Sequence, residues 1–234
     1  MSEMSDSPPV KLGLAEGYSR WAKSYDTTFN TLIATEEVYS LDLLDSLEGK
    51  TVLDAGAGTG RIALRLGRRG WQVTAIEPNP AMQAIAQRAA AGENIHIEFV
   101  SASLEDAVPV ESAAYDLVVC TLTLCHVANL SGAVGEFSRT MAPGAHLLIT
   151  DVHPDFVSCG MPTQFVDDGV TYHLPNEPHT RDDNLQAVAN AGLTLTDVWD
   201  VPGCEVPGGF ETAFMRKNFG SVNFALIVLA RKGT

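Results

Sequence analysis

The spacing of apolar residues changes character along the chain, and each change predicts an element. From Leu12 to Phe29, Tyr18, Trp21 and Tyr25 stand at i, i+3 and i+7, one face of a helix. The residues before it, up to about position 11, carry Ser, Asp and a Pro8-Pro9 pair without a period, and read as a flexible leader. A further helix is expected from Thr35 to Leu47, with Gly49 as its C-cap residue.

From residue 50 short apolar runs alternate with helical patterns. Thr51-Val52-Leu53 reads as a strand, followed by a glycine-rich turn and a helix to Arg69. Gln72 to Ile76 is a strand, Pro80 to Ala91 a helix and Ile95 to Val100 a strand. Tyr115 to Cys120 is an apolar run without polar alternation, as expected for a strand buried on both faces. A helix from Leu130 to Met141 is stopped by Pro143-Gly144, and His146 to Val152 forms the next strand. This alternation predicts a doubly wound, mostly parallel sheet.

The rhythm breaks after Asp151. Residues 153 to 180 are rich in Pro, Gly, Asp and His and read as a loop or insertion. Thr180 then has the character of an N-cap, with Asp182 and Asp183 in the first turn of a helix that stops at Gly192. Leu193 to Val201 and Val222 to Arg231 are two closing strands with a loop-rich stretch between them. The expected organisation is therefore one domain over residues 1–234: leader 1–11, helical cap 12–49, a core 50–152, and a closing part 153–234.

Composition adds limits. The 234 residues, 45% apolar and 19% charged, suit a single globular domain. Fifteen basic against twenty-nine acidic residues give a net charge of −14, which repels phosphate backbones and anionic headgroups. Neither a nucleic acid nor a membrane is expected as a partner. The apolar run Phe224 to Ala230 is too short to span a bilayer, and the polar N-terminus has no secretory core. Cysteines 120, 125, 159 and 204 form no CxxC pair and read as reduced thiols, so a cytoplasmic location is expected.

The chemistry concentrates at Val52 to Ala63, VLDAGAGTGRIA. Gly56, Gly58 and Gly60 leave a strand and open a helix, so backbone can approach a ligand closely. A dinucleotide fingerprint would need a third glycine at position 61, where Arg61 stands. Asp54, at the mouth of the turn, would repel a pyrophosphate but suits a ligand carrying ammonium and sulfonium groups.

At these residues the chain resembles the class I S-adenosylmethionine-dependent methyltransferases. Their acidic-GxGxG motif corresponds to Asp54 through Gly60, and their acid at the end of the second strand to Glu77 in AIEPNPAM. YDLVVCTLTLCHV and MAPGAHLLITD match the family's fourth and fifth strands. The resemblance covers about residues 15 to 152. It implies a Rossmann-like, seven-stranded sheet with helices on both faces, an N-terminal helical cap, and S-adenosyl-L-methionine as methyl donor. It further implies that Glu77 accepts the ribose hydroxyls and that Met82 packs near the adenine. Ser103 stands where the family often has Asp, and the Leu104 N–H remains available to the base. Tyr18 and Tyr25 fall in the segment that caps the donor, where aromatic faces attract a sulfonium; Trp21 is expected to pack on the sheet.

The acceptor side follows from topology, because ligands of open α/β sheets bind beyond the carboxyl ends of the strands. Cys120 to His126 and Asp151 to Asp155 are the expected walls. A base is needed only for an acceptor that is protonated at working pH. His153 and Asp151 are candidates for that role, followed by His126. Two bland readings stand beside these: His126 packing under the donor, and His153 shaping the turn before Pro154. Histidines 126, 153, 173 and 179 form no HxH or HxxxH pair, so no metal is expected. The (D/N/S)PP(Y/F) motif of adenine and glutamine N-methyltransferases is absent; Thr121 to Leu124 occupy that region. The expected reaction is methyl transfer to an oxygen or nitrogen of a small molecule. A peptide N-terminus as acceptor and a non-catalytic donor-binding module are the alternatives, and the oligomeric state is left open.

Overall fold

The computed structural model describes residues 8–207 and 210–234, excluding the side chains of 210–212. Residues 1–7 of the expected leader lie outside the described residues. Three short elements open the chain: strand β1 (Val10–Lys11), helix α1 (Leu14–Trp21) and helix α2 (Thr31–Ser46). The parallel alternation then runs β2 (Thr51–Ala55), α3 (Arg61–Arg68), β3 (Gln72–Ile76), α4 (Pro80–Glu93), β4 (Ile97–Val100), β5 (Tyr115–Thr121), α5 (Leu130–Thr140) and β6 (Met141–Val152). The closing part holds α6 (Pro154–Ser158), β7 (Thr163–Asp167), β8 (Val170–Leu174), α7 (Arg181–Asn190), β9 (Leu193–Pro202), α8 (Phe210–Phe219) and β10 (Asn223–Lys232).

The central sheet has seven strands in the order β4-β3-β2-β5-β6-β10-β9. The first five are parallel, and β10 lies antiparallel to both β6 and β9. Strand residues feed opposite faces in turn, as the pleat requires. Leu53, Val118 and Leu147 pack with Phe137 and Val188 on one side; Val52, Leu117 and Leu148 pack with Leu66 and Leu44 on the other. Burial on both faces is why these strands read as continuous apolar runs. The order reverses between β2 and β5, which opens a crevice at the carboxyl ends of those strands.

Several boundaries differ from the sequence reading. The first helix stops at Trp21, because the chain turns there to bring Asp26 to the glycine loop, where the Thr59 hydroxyl donates to its Oδ1 at 2.7 Å. The second helix starts earlier than Thr35, since Asn30 caps it by accepting the Leu32 and Ile33 N–H groups. Its C-cap is Leu47, not Gly49. Val10 and Lys11, read as leader, pair in parallel with β8. The segment read as a loop, 153–180, contains α6 and the β7–β8 hairpin, and the loop-rich stretch after Val201 contains α8. Trp21 packs on that hairpin and not on the central sheet: its ring stacks on Phe165 at 5.0 Å, and Phe165 stacks on Tyr172 at 5.2 Å. Thr180 caps α7 as expected, in a reciprocal box with Asp183.

Candidate functional site

A cavity of about 660 Å³ opens over the carboxyl ends of β2, β3 and β5, with α1 as its roof. Its floor is the glycine turn. Gly56, Gly58 and Gly60 all have positive φ, and a Cβ at position 56 would fall 2.5 Å from the Thr123 side chain. The turn therefore brings bare backbone to the cavity and lets β5's loop close against it.

Glu77 directly follows β3 and lines the same cavity. Its two oxygens accept the Gly58 N–H at 2.8 Å and the Asn79 N–H at 2.7 Å, so the carboxylate is aimed by backbone while each oxygen keeps acceptor capacity. Burial raises its affinity for a proton, and those two N–H donors pull the other way. Asn79 caps α4 and donates from Nδ2 to the Ala15 carbonyl at 2.9 Å, latching the roof to the floor. Met82, Ser103 and Leu104 line the same cavity as Glu77.

Among the expected site residues, Asp54 and Cys120 do not reach the cavity wall. Cys120 is fully buried in the sheet core, where burial pushes its thiol up. Asp54 lies behind the glycine turn, 1% exposed. Burial raises its carboxyl to about 7, against the pull of the Arg61 guanidinium. Gly60 also stands behind the wall, as the left-handed N-cap of α3.

The acceptor side is corrected more strongly. His153 is fully buried with both ring nitrogens engaged: Nδ1 accepts the Asp155 N–H at 3.0 Å and Nε2 faces Asp200 Oδ1 at 3.1 Å. Arg181 grips the same Asp200 in a fork. His153 thus caps α6 and ties it to β9, with its ring engaged by Asp200 and the Asp155 N–H and not lining the cavity. Asp151 is buried as well; its oxygens accept the Cys125 and Val152 N–H groups, both at 2.7 Å. Burial lifts it to about 6, and it holds the β5 loop rather than facing the cavity.

His126, last residue of a single 3₁₀ turn after β5, does line the cavity. Its Nδ1 lies 2.8 Å from the Pro175 carbonyl, which can only accept, so the ring proton resides on Nδ1. Nε2 therefore carries the lone pair and accepts the Tyr18 hydroxyl at 2.8 Å. Burial lowers the His126 proton affinity and raises that of the Tyr18 and Tyr25 phenols. The pair is neutral, with a basic nitrogen turned to the cavity. Tyr18 and Tyr25 both line it, their rings 6.4 Å apart.

The sequence reading gave no site role to Arg61, Glu36, Glu105 or Pro175. Arg61 lines the cavity and pairs with Glu36 of α2, a carboxylate only 1% exposed. Arg61 sat inside the glycine motif, and its charge was the available signal. Glu36 and Pro175 come from distant segments with no local pattern to mark them. Among the described residues, no group of three or more His, Cys, Asp or Glu side chains is placed to hold a metal ion. No helix among them is long and apolar enough to cross a membrane.

Residues 53–149 match the methyltransferase domain family. Ubiquinone biosynthesis O-methyltransferase of Alkalilimnicola ehrlichii is 29% identical over 115 residues, covering 49% of this chain and 47% of that protein. Demethylmenaquinone methyltransferase of Thermus thermophilus is 32% identical over 117 residues, covering 49% and 53%. The chain thus spans about half the length of these relatives. An S-adenosylmethionine-dependent methyltransferase from Mesorhizobium loti has the same fold, with a TM-score of 0.69 at 19% identity, covering 87% of this chain and 100% of that one. Geranyl diphosphate C-methyltransferase from Streptomyces coelicolor, solved with S-adenosyl-L-homocysteine, follows at 0.65 and 17%, covering 85% and 79%. The glycine turn and the acid after β3 both lie within the segment that matches the methyltransferase domain, and the chain shares the fold of S-adenosylmethionine-dependent methyltransferases.

Proposed function

We propose that the protein transfers a methyl group from S-adenosylmethionine to a hydroxyl oxygen of a small, largely apolar molecule, with His126 taking the hydroxyl proton. The observation that carries this reading is the His126 ring: Nδ1 is held by Pro175, and Nε2 turns its lone pair to a hydroxyl at 2.8 Å inside the cavity. That hydroxyl belongs to Tyr18, and an acceptor hydroxyl would take its place or bind beside it.

The cavity's residues fit the donor. Glu77 offers a carboxylate already aimed by two backbone donors, suited to a vicinal diol. Met82 and Leu104 offer apolar contact for a purine, and the glycine turn admits the chain between them. Tyr18 and Tyr25 bring aromatic faces suited to a cation. When bound, the donor supplies an activated methyl group. The protein's remaining tasks are alignment, exclusion of water and removal of one proton. The α1 roof serves the first two. His126 Nε2 serves the third, taking the hydroxyl proton as the acceptor oxygen bonds to the methyl carbon and S-adenosylhomocysteine is displaced from it.

Oxygen is favoured over nitrogen by the neutral histidine and by the O-methyltransferase among the relatives. Four unpaired cysteines support the cytoplasm as its location. The test is incubation with methyl-labelled donor and a panel of phenols, alcohols, amines and basic peptides. Labelled ether is the expected product. Donor binding without transfer to any acceptor would overturn the enzyme reading, and label on peptide nitrogen would replace the acceptor class.

A further inference from the structure

We infer that Glu105 is a positioning residue for this reaction, coupling the donor wall of the cavity to the loop that carries His126; the inference deepens the reading above and rests on it.

Glu105 follows Ser103 and Leu104, and all three line the cavity with Glu77. Its own N–H is turned back to the Ser103 hydroxyl at 3.1 Å, which fixes the local turn. Its two carboxylate oxygens then bond the loop after β5. One accepts the Ala128 N–H at 2.5 Å and the other the Asn129 N–H at 3.0 Å. Those peptides directly follow His126 and Val127, both of which line the cavity. They also precede α5, whose N-cap is Asn129, so the carboxylate lies at the positive end of that helix.

The other anchors of this loop come from the acceptor side. Asp151 takes the Cys125 N–H at 2.7 Å, Glu177 donates its N–H to the Cys125 carbonyl at 2.7 Å, and His179 Nε2 lies 2.7 Å from the Val127 carbonyl. Together these hold the backbone on both sides of His126, and Glu105 reaches it from the wall where the adenine end of the donor would lie. A displacement of that wall by a bound donor is therefore passed to Ala128 and Asn129 through a fork of two charge-assisted bonds. The fork demands a carboxylate, because an amide has one accepting atom and would oppose its NH₂ to the second N–H.

Glu105→Gln and Glu105→Ala test this in the full chain. The readouts are the His126 ring nitrogens by NMR with and without S-adenosylhomocysteine, affinity for S-adenosylhomocysteine by calorimetry, and kcat. In the wild type the His126 resonances should respond to S-adenosylhomocysteine. In both variants that response should be lost and kcat should fall about tenfold to a hundredfold, with affinity changed only a few-fold. Thermal melts identify a variant that fails to fold; the Gln variant keeps the side-chain shape and serves if the Ala variant does. A wild-type His126 response in a folded Gln variant, with kcat unchanged, would overturn the inference. The NMR arm needs no acceptor, so failure to find methyl transfer by the wild type would sink the functional reading alone.

Discussion

The Tyr18 hydroxyl donates to His126 Nε2 at 2.8 Å across 108 positions of sequence. One residue belongs to the roof helix and the other to the loop after β5, so the bond joins the two walls of the cavity and sets the His126 ring in one geometry. Loss of either partner has separable consequences.

His126→Ala should lower kcat by about a hundredfold or more, the range for loss of a general base, while affinity for S-adenosylhomocysteine changes little. Steady-state kinetics beside calorimetry would check it; equal losses in both would make His126 a donor contact instead.

Burial lowers the proton affinity of His126, so the basic form persists to more acidic pH than for a free imidazole. The rate should be flat through neutrality and fall with acidification, with its midpoint below the ordinary 6.5. Tyr18→Phe removes the donor to Nε2 and should displace that midpoint. A pH–rate profile with its acid limb above 6.5 would contradict the assignment.

Glu77→Gln should weaken S-adenosylhomocysteine binding by about tenfold to a hundredfold, since hydrogen bonds to a charged partner are worth about 1.5–3 kcal/mol. The Gly58 and Asn79 N–H groups would compete for the one remaining acceptor oxygen. Calorimetric titration measures this, and an unchanged affinity would remove Glu77 from the donor site.

Asp54 links pH to stability. Its proton affinity in the fold lies near 7, above the ordinary 3.8, so between those values the folded chain holds a proton that the unfolded chain has released. Stability from this group is full below the unfolded value and declines as pH rises through about 7. Asp54→Asn should therefore gain on the wild type as pH rises from 4 to 8, by a few kcal/mol at most. Thermal melts of both proteins across that range should diverge; parallel curves would show that Asp54 gains an unseen partner.

His153→Ala should cost about 2–3 kcal/mol of stability, by leaving the Asp155 N–H without its acceptor and a hole in a fully buried site. Urea unfolding would register it. Affinity for S-adenosylhomocysteine should stay as in the wild type, which is the opposite of the result expected for a base in the cavity.

Much of the donor side was legible because its residues are local in sequence. Gly56 and Gly58 signal a strand-to-helix turn, Glu77 stands at the end of a strand of known register, and Met82 follows on the next helix. The acceptor side was not legible, because its geometry depends on which way a ring turns. His153 follows β6 directly, yet Asp200 and the Asp155 N–H draw it inward. His126 gains its tautomer from Pro175, 49 positions away. The β7–β8 hairpin did carry a local sign, Asp168-Gly169 at positive φ between runs whose alternate residues, Phe165 and Tyr172, are buried. Its surroundings of proline, glycine and acid masked it.

What the sequence by itself determined is the alternating core and the donor turn, since apolar period and glycine position act within a few residues and need no distant partner. The acidic surplus belongs to the same level, as a property of composition. What only the tertiary structure decided is which polar groups meet: Tyr18 with His126, Glu105 with the peptides after it, His153 with Asp200, and Arg61 with Glu36. A hydrogen bond is short and directional, so a side chain's role depends on a neighbour within about 3 Å, and such neighbours here are brought together by folding and not by order along the chain.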